Sequence, residues 1–195
     1  MAVDKNLFLY DLAVVSIMKN EAPYVKEWLD YHLLAGVDHF YIYDNDSSDN
    51  TKEVLQPYID AGIVTYTFLP GKKQQYTAYN DAVQKHRYFC RYIAFIDADE
   101  FVFPQNNKSI VEVADEILLP LPQAGGLVMN WQFYSSNGQE KADYTRGVLE
   151  RFTSRSPKES QGNEALKNIV NPRCIDYVDD PHVMKYVLGR FRINE

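Results

Sequence analysis

Residues 92–99 have the sequence Tyr-Ile-Ala-Phe-Ile-Asp-Ala-Asp, an apolar run that ends directly on two carboxylates. Such a run predicts a strand buried on both faces, which is typical of a parallel sheet. In open α/β sheets, ligands bind at the carboxyl ends of the strands. Asp97 and Asp99 are therefore predicted to lie at a ligand site, where their oxygens suit Mg²⁺ or Mn²⁺. A solvated acidic turn is the alternative explanation.

The chain before this run alternates between strand and helix patterns. Apolar runs predict strands, and residues recurring at helical spacing predict helices. The predicted strands cover 12–18, 39–43 and 63–69, and the predicted helices cover 22–35, 50–60 and 74–87. This alternation predicts βαβ units, and hence an α/β fold with a mostly parallel central sheet flanked by helices.

The pattern becomes less regular after residue 105. Ser109 and Glu112 have capping-box spacing at the start of a helix predicted near 109–119. Strands are predicted at 126–134 and 147–153, followed by a polar loop at 154–166. We predict a single domain over 1–195, divided into halves at 1–104 and 105–195.

Polar residues also follow the first two predicted strands. Lys19, Asn20 and Glu21 come after the first strand, and Asp44 ends the second. Since parallel strands end at one edge of a sheet, these residues should converge with Asp97 on a nucleotide pocket. A carboxylate at the second strand end could accept hydrogen bonds from a base or ribose. The alternative for Asn20 is a helix cap.

Composition excludes several classes of protein. Apolar residues make up 46% and charged residues 24%, as in ordinary globular chains. The net charge of −7 argues against nucleic acid as a partner. Two cysteines without zinc-site spacing indicate free thiols and a reducing, cytoplasmic location, with attachment to a membrane periphery left open. A single disulfide between them is the alternative. We expect no signal peptide and no transmembrane segment, since no apolar stretch is long enough.

Several segments, taken in order, resemble glycosyltransferases with the GT-A fold, of the family 2 type and more closely of the family 92 type. The DXD-type triplet at Asp97 is a weak signal alone, whereas the ordered set is specific and spans nearly the whole chain. The matching segments are 16–21, 31–45, 75–80, 95–101, 130–138, 150–152, 167–172 and His182.

The resemblance implies an inverting, metal-dependent glycosyltransferase. Such an enzyme moves a sugar from a nucleotide sugar, here a UDP-sugar, to a glycan or a lipid-linked sugar acceptor. The half at 1–104 would bind the nucleotide sugar. The half at 105–195 would bind the acceptor and complete the metal site.

The resemblance also assigns a metal site. Asp97 and Asp99 would be the DXD carboxylates that hold Mn²⁺, or Mg²⁺, on the diphosphate. His182 would be the third protein ligand, although a lone histidine is more often structural and spacing alone does not identify a ligand. Lys167 would face the phosphates.

The remaining donor-site residues are implied in the same way. Lys19 to Glu21 and Asp44 would border the uracil and the ribose. Gln75 and Asn80 would line the donor site.

A carboxylate base is needed to take the proton of the acceptor hydroxyl. Glu150 is the predicted base, with Asp143 and Asp176 in reserve. A structural ion pair of Glu150 with Arg151 or Arg173 explains the same residue equally well.

Other functions stay open. A non-catalytic nucleotide-sugar or glycan-binding module would keep this fold and site without turnover. A glycosidase would need two carboxylates across a sugar cleft, which the sequence does not exclude. Family members usually continue beyond Asn194 with a histidine and a helical segment, so we expect a short member or a piece of a longer protein.

Overall fold

The computed structural model describes residues 7–104 and 107–194. Its first half follows the predicted alternation of strands and helices closely. In order, the elements are β1 (Tyr10–Met18), α1 (Val25–Leu34), β2 (His39–Asp44), α2 (Thr51–Asp60), β3 (Val64–Phe68), α3 (Gln75–His86) and β4 (Cys90–Phe95).

The second half is richer in strands than predicted. Its elements are α4 (Ile110–Leu118), β5 (Ala124–Asn130), α5 (Val148–Arg151), β6 (Leu166–Val170), a 3-10 turn (Pro172–Cys174), β7 (Ile175–Asp180), β8 (Val183–Tyr186) and β9 (Phe191–Asn194). The capping box of α4 is present as predicted: Ser109 accepts the Glu112 amide, and the Glu112 carboxylate accepts the Ser109 amide.

One seven-stranded sheet contains strands from both halves, in the order β3-β2-β1-β4-β6-β5-β9. β6 runs antiparallel to its neighbours β4 and β5, and the other pairings are parallel. β7 and β8 form a separate antiparallel pair. The predicted α/β class with a mostly parallel sheet is confirmed. The predicted boundary between halves, at 104 and 105, adjoins residues outside the described ranges.

The directions of the strands define one edge of the sheet, at which the carboxyl ends of the parallel strands meet. β1, β2, β4 and β5 all end at this carboxyl edge, while antiparallel β6 begins there. Apolar side chains cover both faces of the sheet. Trp28 and Leu55 from α1 and α2 are fully buried on one face. Tyr79 and Val83 from α3 pack on the other face with residues of β7 and β8. Helices on both faces explain why β2 and β4 are buried on every residue.

Three local predictions were wrong. Residues 147–153 contain α5 rather than a strand, because the Glu27 carboxylate accepts the amide protons of Val148 (2.5 Å) and Leu149 (3.2 Å). The strand predicted at 126–134 ends at Asn130. α1 begins at Val25, so Asn20 is not its cap.

Two further features concern the cysteines and the lengths of the helices. Cys90 and Cys174 are both buried and unpaired. Among residues 7–104 and 107–194, no helix has the length and apolar content needed to cross a bilayer.

A buried histidine makes stability depend on pH. His32 is fully buried in α1, where Nδ1 donates to the Trp28 carbonyl (2.8 Å) and Nε2 accepts the Val102 amide (3.3 Å). Burial lowers the pKa of His32 to about 4. As pH falls, His32 is therefore protonated near pH 6.5 in the unfolded chain but only at a much lower pH in the folded chain.

We expect the free energy of unfolding to fall by about 3 kcal/mol between pH 6.5 and pH 4 through this one group. Urea unfolding of the wild type and His32→Gln across that window measures the effect. The pH slope should be smaller in the variant, since His32 no longer titrates. Equal slopes would contradict the assignment.

Candidate functional site

The predicted strand ends meet at the carboxyl edge. β1 pairs with both β2 and β4, so the segment 19–21, Asp44 and the turn 97–100 follow three adjacent strands. Trp131 follows β5 at the same edge. Lys167 reaches this edge because it is the second residue of the antiparallel β6.

A buried ion cluster lies at the end of β4. The Lys167 ammonium is 2.6 Å from Asp97 Oδ2 and 3.2 Å from Glu100 Oε2, and its side chain is only 4% exposed. Glu100 Oε2 also accepts the amide proton of Asp97 (2.8 Å). Burial raises the pKa of Glu100, and the Lys167 charge opposes that shift. Lys167 therefore holds the turn after β4 by bridging two of its carboxylates.

The second oxygen of Asp97 is held from α3. Asp97 Oδ1 accepts hydrogen bonds from Gln75 Nε2 (3.1 Å) and from the Tyr79 hydroxyl (3.3 Å). Gln75 and Tyr79 are one helical turn apart, and Gln75 Nε2 also donates to the Tyr79 hydroxyl (3.1 Å). Burial, reinforced by the charge of Asp97, raises the pKa of Tyr79. Both oxygens of Asp97 thus have internal partners.

Asp99 is different from Asp97. It is exposed, and it makes no hydrogen bond or ion pair with any residue in the described ranges. Its charge is nevertheless felt nearby: burial, and then the negative charges of Asp99 and Asp49, raise the pKa of Glu21. Asp99 is therefore the carboxylate of this turn that is free to bind a cation.

His182 lies in the turn between β7 and β8. Its Nδ1 is 2.9 Å from the Leu166 carbonyl oxygen. Because a carbonyl only accepts, Nδ1 carries the proton and Nε2 keeps its lone pair in the neutral ring. Metal-binding histidines are commonly oriented by such a bond. The Trp131 ring centre is 5.5 Å from that of His182 and 5.6 Å from Lys167 Nζ.

The donor set fits a divalent cation that shares its coordination with a ligand. Asp97, Asp99 and Glu100 carry three negative charges against one positive charge on Lys167, a net charge of −2. Within the described residues, however, no three His, Cys, Asp or Glu side chains are grouped closely enough to hold a metal. Mg²⁺ is usually bound by one or two carboxylates together with phosphate oxygens, and Asp99 provides such a carboxylate. The metal assignment stays a prediction.

The loops after β1 and β2 are interlocked. Asn20 has a φ of 60°, and its Oδ1 accepts the amide proton of Ser48 (2.7 Å). The backbone amide of Asn20 donates to Ser47 Oγ (2.9 Å). Lys19 lies 3.9 Å from Asp46, and both side chains are exposed, so that ion pair adds little. Asn20 thus fixes the loops that border the predicted nucleotide pocket.

Asp44 is buried beneath the second of these loops. One oxygen accepts the Ser47 amide (2.8 Å), and the other accepts the Tyr66 hydroxyl (2.7 Å). Burial and the Asp44 charge raise the pKa of Tyr66. Each carboxylate oxygen retains a second acceptor site. The contact of Asp44 with a base or ribose stays a prediction.

Two predicted site residues, Asn80 and Glu150, have partners within the protein. Asn80 donates to the Val178 carbonyl (2.7 Å) and accepts the Val178 amide (2.9 Å), which fastens α3 to β7. Glu150 lies on α5 and forms an ion pair with Arg146 Nε (2.8 Å), and the Glu150 side chain is 62% exposed. No contact among the described residues joins Glu150 to Asp97 or Lys167. Both functional assignments stay predictions.

Sequence reasoning missed two residues of this site. Glu100 and Tyr79 were given no role, although each contacts a predicted site residue. Tyr79 could have been found from its one-turn spacing to Gln75 on a predicted helix. Glu100 gave no signal of its own, because its partner Lys167 comes from a strand that was not predicted.

Fold and site together define an α/β protein with a candidate ligand site at the carboxyl edge of a mostly parallel sheet. The family model for Glycosyltransferase family 92 matches residues 14–193. The chain belongs to glycosyltransferase family 92.

Similar proteins occur in several plants. A family 92 protein of Oryza sativa subsp. japonica is 28% identical over 183 residues, covering 91% of this chain and 31% of the relative. One of Ricinus communis is 32% identical over 180 residues (86% and 29%). Galactan beta-1,4-galactosyltransferase GALS2 of Arabidopsis thaliana is 28% identical over 193 residues (90% and 36%). The chain thus spans about a third of the length of these curated relatives.

Among solved structures, S. aureus TarS 1–349 in complex with UDP is similar to part of the chain. The TM-score is 0.48 at 16% identity, over 68% of this chain and 38% of TarS. The complex of the same protein with UDP-GlcNAc gives a TM-score of 0.44 at 16% identity, over 68% and 37%.

Proposed function

We propose that this chain carries the donor site of an inverting, metal-dependent glycosyltransferase that uses a UDP-sugar and a glycan or lipid-linked sugar acceptor. The main support is the arrangement of the turn after β4, in which Lys167 and α3 hold Asp97 while Asp99 has no partner among the described residues. A rigid turn with one available carboxylate at the carboxyl edge suits a diphosphate with its cation. Membership of family 92 supports the same proposal.

The proposed donor site divides its tasks among neighbouring residues. Asp99 and His182 Nε2 would hold Mn²⁺ or Mg²⁺. Such a cation supplies charge neutralisation on the leaving diphosphate. Lys167 acts through Asp97, since its ammonium is buried against that carboxylate and does not face solvent. Asn20 keeps the loops after β1 and β2 in place for the nucleoside.

The acceptor hydroxyl must lose its proton to a base during the displacement. We retain Glu150 as the proposed base because its carboxylate is exposed and is held by one guanidinium, that of Arg146. A bound acceptor could displace such a surface partner at little cost. Asp143 and Asp176 are also exposed and are the alternatives.

A turnover assay tests the proposal. Some relatives are named galactan beta-1,4-galactosyltransferases. We therefore choose UDP-galactose as the first donor to test and β-1,4-galactan oligosaccharides as the first acceptors. We expect Mn²⁺-dependent release of UDP with extension of the oligosaccharide. NMR of the product should show a β-linkage formed from the α-linked donor, as inversion requires. Binding of UDP without transfer from any UDP-sugar would favour the non-catalytic binding module.

A further inference from the structure

A polar groove lies beside the candidate donor site. It has a volume of about 770 Å³ and runs between the end of β5, residues 130–132, and the loop 155–164. This volume falls within the range of about 300–1,000 Å³ that is usual for small-molecule sites. None of the donor-site roles described above uses this groove.

Side-chain hydrogen bonds hold the groove walls together. Asn163 is buried, and its Nδ2 donates to the Pro157 carbonyl (2.9 Å) while its Oδ1 accepts the Phe133 amide (3.1 Å). Gln132 Nε2 donates to the Ser156 carbonyl (2.8 Å). These bonds tie the loop to the strand end from both sides. The groove is therefore preformed, which lowers the entropic cost of binding a ligand.

The charges along the groove are balanced. Arg155, Lys158, Glu159 and Glu164 line it, and all four side chains are exposed. None of these four side chains makes a hydrogen bond or ion pair with another residue in the described ranges. Two positive and two negative charges disfavour a strongly charged polymer of either sign. They offer both donors and acceptors to a neutral ligand rich in hydroxyl groups.

Trp131 connects the groove to the donor site. It lines the groove, and its ring lies 5.5 Å from the His182 ring and 5.6 Å from Lys167 Nζ. Its Nε1 is buried and has no hydrogen-bond partner in the described part of the chain. A buried donor without a partner is uncommon in folded proteins. The groove thus begins one side chain away from the proposed reaction centre.

We propose that this groove binds the acceptor as a neutral, hydroxyl-rich oligosaccharide, with its growing end at Trp131. The proposal rests on the function proposed above. The balanced charges select against uronic-acid chains, and the aromatic ring of Trp131 packs against the terminal sugar unit.

Calorimetric titration with three oligosaccharide probes tests the charge argument. The probes are β-1,4-galactotetraose (neutral), tetragalacturonic acid (anionic) and chitosan tetramer (cationic). We expect the neutral probe to bind about tenfold more tightly than either charged probe. Equal or tighter binding of a charged probe would overturn the proposal.

A charge-changing variant sharpens the test. Glu159→Gln/Glu164→Gln changes the groove charge from balanced to +2, so affinity for tetragalacturonic acid should rise about fivefold or more. The matched control Glu53→Gln/Asp60→Asn makes the same change of charge on exposed positions of α2 and should leave that affinity unchanged. Equal gains in both variants would overturn the assignment, because net charge alone would explain them.

A conservative variant tests the aromatic anchor. Trp131→Phe keeps one aromatic ring but loses part of the indole surface at the groove, and we expect affinity for galactotetraose to fall about threefold or more. Unchanged affinity would place the glycan elsewhere.

UDP binding in the presence of Mn²⁺, measured on the same samples, separates the two proposals. Intact UDP binding without any galactotetraose binding would overturn the groove assignment alone. Galactotetraose binding without UDP binding would overturn the donor site and leave a glycan-binding groove.

Discussion

Lys167→Met should lower the free energy of unfolding by about 3–5 kcal/mol at neutral pH. The variant leaves Asp97 and Glu100 as neighbouring carboxylates without the cation that lies 2.6 Å and 3.2 Å from them. Breaking a buried ion pair from one side is costly because the remaining charges stay desolvated. Urea unfolding followed by circular dichroism measures the loss.

Two further variants separate this effect from a general loss of charge. Lys185→Met removes a lysine that is 46% exposed and 3.6 Å from Asp179, and its cost should be below about 1 kcal/mol. Lys167→Met/Glu100→Gln removes one unbalanced carboxylate and should recover part of the lost stability. The deficit of Lys167→Met should also shrink at lower pH, since burial already raises the pKa of Glu100 and protonation removes its charge. Equal costs for both lysine variants would refute the buried cluster.

Asp99→Asn should remove the Mn²⁺-dependent part of UDP binding, a loss of affinity of about 100-fold or more. Asp99 is exposed and has no partner in the described residues, so its carboxylate is available to a cation. The neutral amide is a far weaker ligand for a hard cation. Calorimetric titration of UDP with and without Mn²⁺ measures the change.

The same property makes the Asp99 variant a clean test. With no internal bond to lose, Asp99→Asn should unfold at the temperature of the wild type. Asp60→Asn, an exposed aspartate at the end of α2, serves as the control and should bind UDP normally. Retained Mn²⁺-dependent affinity in Asp99→Asn would sink the metal assignment.

The first half of the fold was predictable because local periodicity carries it. β1, β2 and β4 are buried on nearly every residue, and each stands out as an apolar run. The ends of helices were less clear. Gly36, with a φ of 98°, follows the end of α1 close to the predicted helix end at residue 35, whereas Asn20 uses its side chain to join two loops.

The second half depends on distant partners that no local pattern reveals. β6 is a five-residue strand with two polar residues, and its antiparallel direction follows from where it inserts between β4 and β5. α5 has the apolar content of a strand, yet Glu27, more than a hundred residues earlier, accepts the amides of its first turn. Both errors therefore have tertiary causes.

The candidate site was predicted in outline but not in its chemistry. Asp97 and Asp99 look equivalent in the sequence as two carboxylates of one triplet. The structure distinguishes them, since Lys167, Gln75 and Tyr79 bind the carboxylate oxygens of Asp97. Asp99 has no such partner among the described residues. Only the tertiary fold brings β6 and α3 to the same carboxylate.

The proposed function requires the carboxyl edge to bind a UDP-sugar donor through a divalent cation. Calorimetric titration of the wild-type chain with UDP, GDP and CDP, each with and without Mn²⁺, tests this requirement. We expect tight binding of UDP that depends on Mn²⁺, and weak binding of the other two nucleotides. Absence of binding by every nucleotide, or UDP binding that does not depend on Mn²⁺, would refute the proposed donor site.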